Sequence, residues 1–209
     1  QLEHERIRQL YGCGDEEALN YSAETNTPML LAVGRLVARK GYMTLLRAMP
    51  AILQENPKAK LVIVGRGHMK SSLEKNAKKL GISDSIHIQS SLSFEELAQH
   101  FRSADLVVYP SYYEGQGLIP LESLASGTPV ATVNQEPLTE MVDDSVGGLF
   151  KRGEPEDLAR CVNEMLASEE TTKKAILGRE RVLSRYTYEH NASDYVAVFN
   201  RAIEKRNGK

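Results

Sequence analysis

The chain has 209 residues, 41% of them hydrophobic, enough to bury the core of one large domain or two small ones. Lysine and arginine total 26 against 28 aspartates and glutamates, so the formal net charge of −2 gives no global pull toward nucleic acid or an acidic membrane, and any anion site must be local. No apolar run approaches the ~18 residues of a spanning helix, and two distant cysteines, Cys13 and Cys161, form neither a disulfide framework nor a zinc cluster. The opening residues, QLEHERIRQLYG, are charged and not signal-like. A cytoplasmic protein with reduced cysteines is the expectation, and a start at Gln1 inside a helical pattern suggests a piece of a longer polypeptide.

In chain order, strand-length apolar runs alternate with segments of helical period. MLLAV (29–33) precedes a helical pattern from Tyr42 to Leu53, and KLVIV (60–64) precedes one from Met69 to Leu80. IHI (86–88) is followed by Phe94 to Arg102, DLVVY (105–109) by Leu118 to Ala125, and PVAT (129–132) by Leu138 to Val142, with GLF (148–150) closing the series. Strand then helix, repeated, predicts a parallel sheet covered on both faces, an α/β Rossmann-like doubly wound domain of about six strands. Ser93 and Glu96 form a capping box, Gly81 ends the helix before it, and Pro50 inside the first helical pattern predicts a bend, at a cost of about 3 kcal/mol. From 154 onward only helical pattern remains, at about 155–167, 170–184 and 188–205. We therefore read residues 1–209 as one domain, with its core at about 28–152 and C-terminal helices at about 155–205.

In such sheets ligands bind at the carboxyl ends of the strands, where tight turns let the backbone approach and helix N-termini offer free N–H groups. The unusual residues fall on that edge: Gly34, Arg35, Lys40 and Gly41 after the first strand, Gly65 to His68 after the second, Pro110 to Gly117 after the fourth, Asn134 to Pro137 after the fifth. Arg35 and Lys40 would approach a phosphate pair from two sides. Leu118 and Ile119 open a helix after Gly115, Gln116 and Gly117, so their amides lack intrahelical partners, and Pro120 gives up an N–H in the first turn, where none is needed. Carboxylates do a different job, accepting hydrogen bonds from hydroxyls, and Glu114 and Glu122 read as hydroxyl acceptors. Taken alone, Arg35, Lys40, Glu114 and Glu122 are each better explained as solvated surface charges; together with the neighbouring loops they describe a diphosphate flanked by two sets of hydroxyls, which is a nucleotide sugar.

The run from about Pro28 to Ala202 resembles the C-terminal, donor-binding domain of GT-B-fold retaining glycosyltransferases, the family 4 hexosyl and mannosyl transferases of group 1. The resemblance rests on VGRLVARKGYMTLLRA, LVIVGRGHMKSSLEKNAKKLGI, ADLVVYPSYYEGQGLIPLESLASGTPVAT with its two glutamates separated by seven residues, and YTYEHNASDYVAVF. It implies that Arg35 and Lys40 contact the diphosphate, with Gly34 in the same loop. It further implies that Glu114 binds donor-sugar hydroxyls and Glu122 the ribose, that the backbone from Gln116 to Ile119 holds phosphate and sugar, and that Ser90 and Ser91 flank the base. By that resemblance Arg35, Lys40 and Glu114 are the catalytic candidates. The implied donor is a UDP-, GDP- or ADP-sugar, with no cofactor and no metal; no Asp-x-Asp motif occurs in the chain. The acceptor site, for a lipid-linked or peripheral-membrane acceptor, belongs in this family to an N-terminal domain that would precede Gln1, and no nucleic acid is implied. Two departures touch specificity: Gln116 stands where the family has an aromatic, and Glu136 and Pro137 where it has a Gly-Gly pair. A nicotinamide dehydrogenase would need Gly-x-Gly-x-x-Gly after the first strand, and a P-loop enzyme Gly-Lys-Ser/Thr; neither is present. A non-catalytic nucleotide-binding or partner-supporting module is the alternative.

Overall fold

A computed structural model describes residues 27–206 apart from 91, so the expectations placed on Ser91, on Cys13 and on the helical pattern at Gln1 lie outside the described residues. Six parallel strands, β1 (Met29–Val33), β2 (Lys60–Val64), β3 (Ile86–Gln89), β4 (Leu106–Tyr109), β5 (Val130–Val133) and β6 (Gly147–Phe150), line up in the order β3-β2-β1-β4-β5-β6. β1 is buried at every position, as are β4 and β5, which explains their unbroken apolar runs. At the edge, β3 alternates half-buried Ile86 and Ile88 with exposed His87.

The strand order reverses between β1 and β4. Right-handed crossovers leaving these two strands in opposite directions must place their helices on opposite faces of the sheet. Accordingly α1 (Tyr42–Glu55), which follows β1, packs with α2 (Lys70–Lys79), whereas α4 (Leu118–Ala125), which follows β4, packs with α3 (Phe94–Ser103). The short α5 (Leu138–Met141) leads into β6. Then α6 (Pro155–Ala167) lies against α1, tied by Asn56 Nδ2 donating to Asn163 Oδ1 at 3.0 Å, and α7 (Glu170–Arg185) lies against α4. The final helix, α8, runs from Tyr188 to Arg206. None of the described helices is long and apolar enough to cross a membrane.

Local signals are realised in atomic detail. Ser93 Oγ accepts from the Glu96 amide while Glu96 accepts from the Ser93 amide, completing the capping box of α3. Gly81 takes the left-handed conformation, φ 70°, just past α2. Helix α1 continues through Pro50 without interruption, so its cost there is one missing donor to the carbonyl four residues back.

Where β1 and β4 diverge, their following loops touch. A Cβ on Gly41, whose φ is 68°, would lie 1.9 Å from the Pro110 carbonyl oxygen, and the Tyr112 amide donates to the Arg39 carbonyl at 2.7 Å. Only glycine permits both that φ and that contact. Gly41→Ala is therefore expected to destabilise the fold by at least about 2 kcal/mol, the combined effect of left-handed strain and a backbone clash; a urea midpoint matching wild type would contradict this packing.

Candidate functional site

The carboxyl ends of β1 and β4 deliver a buried ionic cluster. Lys40 ends the short 3-10 turn Ala38–Lys40, and its ammonium donates to Glu114 Oε1 at 2.5 Å and to the Tyr109 hydroxyl at 2.8 Å. Tyr109, the last residue of β4, donates to the same Glu114 oxygen at 2.7 Å, and the Ser111 hydroxyl donates to it as well. The Lys40 and Glu114 side chains are each about 10% exposed, and Ser111 is 1% exposed. An isolated buried charge would be costly, but here the pair is completed by two hydroxyl donors.

The electrostatics follow. Burial works to raise the Glu114 carboxyl, and the hydrogen bonds from Lys40, Ser111 and Tyr109 outweigh it, leaving the carboxyl below the ordinary glutamate range. Burial, and then the bond to Glu114, push the Tyr109 phenol above its usual range, so it stays a donor. All three donors converge on Oε1. Among the described residues Oε2 has no hydrogen-bond partner, so Glu114 is fixed by one oxygen and presents the other.

The remaining candidates are arranged around this anchor. Arg35 is exposed beside Gly34, its guanidinium without a partner among the described residues. Gly115 and Gln116 are exposed, and Gly117 is the N-cap of α4, whose first amides, on Leu118 and Ile119, have no backbone acceptor among the described residues. Glu122 lies on the exposed side of α4, yet partial burial of its carboxyl raises it above the ordinary range. Ser90 accepts from the Lys70 ammonium at 3.3 Å at the end of β3. The structure thus brings Lys40 and Glu114 into contact, a closeness their 74-residue separation in sequence conceals. It does not pair Arg35 with Lys40.

Two residues of this cluster are not singled out by sequence: Tyr109 reads as part of an apolar strand run, and Ser111 as one of several positions in the loop 110–117. The available signal was a phenol at the last position of a strand whose C-terminal loop carries an acid five residues on. Among the described residues no group of three His, Cys, Asp or Glu side chains is placed to hold a metal ion.

With the geometry in place, comparison with known proteins is decisive. The sequence profile described as glycosyl transferases group 1 matches residues 15–179. The chain belongs to that family. An uncharacterised glycosyltransferase from Methanocaldococcus jannaschii is 32% identical over 195 residues, covering 90% of this chain and 50% of the relative. Among solved structures, a sucrose-phosphate synthase from Thermosynechococcus elongatus superposes with a TM-score of 0.77 at 27% identity, over 89% of this chain and 49% of that one. The C-terminal domain of a group 1 family glycosyl transferase from Francisella tularensis gives a TM-score of 0.73 at 23% identity, over 87% of this chain and 98% of that one, a likeness of fold. The group 1 chain described here spans half the length of its Methanocaldococcus relative, and its six-stranded sheet is that of a GT-B C-terminal domain.

The depressed Glu114 carboxyl has a measurable consequence. A group whose folded pKa lies below its unfolded value contributes stability that is present above the unfolded pKa and lost as pH falls through the folded one. Glu114→Gln is expected to flatten the acid limb of a plot of urea midpoint against pH, converging with wild type at the low-pH end. Parallel acid limbs would show that Glu114 carries no such linkage.

Proposed function

We propose that this chain is the donor half of a retaining, metal-independent hexosyltransferase, binding a nucleoside diphosphate sugar at the carboxyl edge of β1 and β4. The observation that carries the reading is the division of labour on Glu114: Oε1 is saturated by Lys40, Tyr109 and Ser111, and Oε2 is open. A carboxylate locked in this way is a preorganised acceptor for a sugar hydroxyl. Beside it, the open amides at the start of α4 and the unpaired Arg35 supply donors to a diphosphate, and Lys40 supplies the second charge that stabilises the departing phosphate. The carboxylate of Glu122, one turn further along α4, has no hydrogen-bond partner among the described residues and suits the ribose diol. Ser90 lies where the base would sit.

In this proposal the acceptor is held by a second domain outside the chain, and the product is a polysaccharide, glycolipid or other glycoconjugate. The 209 residues bind donor without turning it over. A purely nucleotide-sensing or partner-supporting role would use the phosphate and ribose contacts but leave the sugar contact idle.

Titration with UDP, GDP and ADP, with and without magnesium, is expected to give metal-independent binding of one of the three, and binding of none would overturn the proposal. Glu122→Ala should weaken the free nucleotide by about tenfold or more, as expected for a lost hydrogen bond to a charged group. Glu114→Ala should cost the nucleotide sugar more affinity than the free nucleotide, so the ratio of the two constants is the readout. Equal losses toward both ligands would favour the idle-sugar alternative.

A further inference from the structure

Tyr42 carries a buried polar atom with no task. The residue is 2% exposed and its hydroxyl has no hydrogen-bond partner among the described residues. Buried hydroxyls are almost always partnered, and a phenylalanine would fill the same space without stranding an oxygen. The position of this oxygen is informative. It lies 3.0 Å from where a Cβ on Gly34 would stand, and the Lys40 Cε lies 3.7 Å from the same point, so the phenol oxygen and the lysine side chain lie side by side over Gly34. Gly34, at φ 142°, lets both approach by lacking a side chain. Burial and the Glu114 charge both hold the phenol in its protonated, donating form.

Lys40 has competing claims on it. Its ammonium is turned inward onto Glu114 and Tyr109, with only about a tenth of the side chain exposed. In the donor-site reading, a diphosphate between Arg35 and the start of α4 would draw that ammonium toward the cleft. Glu114 Oε1 would then keep Ser111 and Tyr109 but lose its one charged donor among the described residues, in a site where an undercompensated carboxylate is costly.

Building on the donor-site reading above, we propose that Tyr42 is a positioning residue whose hydroxyl takes over as donor to Glu114 when Lys40 turns to the diphosphate. The orphan oxygen is then a donor held in reserve, partnered only in the occupied site. Lys40 can move without releasing Glu114, and the sugar-facing oxygen keeps its aim.

The test is a double-mutant cycle on the 209-residue chain, titrating UDP, GDP and ADP into wild type, Tyr42→Phe, Glu114→Gln and the double variant. Tyr42→Phe is expected to weaken the bound nucleoside diphosphate about tenfold. In the Glu114→Gln background, where no charge needs compensating, the same change should shift affinity by no more than about twofold. The ligand-free melting temperature of Tyr42→Phe should equal or exceed that of wild type, since an unpartnered polar atom has been removed. Wild-type affinity in Tyr42→Phe, an equal loss in both backgrounds, or a lower ligand-free melting temperature would each overturn the inference. If wild type itself binds none of the three nucleotides, the donor-site reading fails and this inference with it; intact binding in both wild type and Tyr42→Phe fails the inference alone.

Discussion

The contact between Lys40 and Glu114 is the constraint around which this edge of the molecule is organised. It joins the loop after β1 to the loop after β4, the two strands from which the chain winds in opposite directions. A buried ion pair does not justify itself energetically, because desolvating both charges opposes their attraction. It persists where the remaining hydrogen-bonding capacity is filled, and here that demand reaches back into the fold. Tyr109 must be the last residue of β4 for its hydroxyl to sit between ammonium and carboxylate, and Ser111 must follow two residues later to approach the same oxygen from the other side. Gly41 must lack a side chain for the Pro110 carbonyl to come close enough to align the loops.

Much of the architecture was legible in the sequence for a physical reason. Strands buried on both faces must be apolar throughout, so MLLAV and DLVVY announce themselves, as does KLVIV, half-buried at Lys60 and Val62, and the observed strands start and stop within a residue of those runs. Helix ends were equally plain where a specific residue enforces them, as at Ser93 and Gly81. Given a parallel sheet, topology alone sends Gly34, Lys40, Glu114 and the start of α4 to one edge.

What escaped was pairing across long separations. Lys40 reads in sequence as a loop cation facing a ligand, and nothing within ten residues reveals that its partner is Glu114. Arg35 carries the same charge five positions earlier and remains exposed, its guanidinium without a partner among the described residues. The difference lies in Gly41, which pulls the chain at Lys40 against Pro110 and turns the lysine inward. Tyr42 and Tyr109 escaped for another reason. A tyrosine satisfies an apolar pattern with its ring, and periodicity records the ring but not the hydroxyl. Both phenols disappeared into well-behaved elements, yet their oxygens bear on the chemistry at Glu114.

The two acids, with seven residues between them, also illustrate how little a carboxylate's identity says without its surroundings. Glu114 is held below the ordinary range by three donors converging on one oxygen, and Glu122 is raised by partial burial with no partner to offset it. A pinned, ionised carboxylate discriminates among hydroxyl geometries, because it cannot follow a misplaced partner. An unpinned one on an exposed helix face adapts its rotamer and tolerates small displacements, at the expense of ordering itself on binding. In the proposed donor site this assigns selectivity to the sugar end and tolerance to the ribose end. The ribose is the same in every nucleoside diphosphate donor and needs only to be held, whereas the sugar is the part that varies, and it is there that the fold invests a buried lysine, a phenol and a serine.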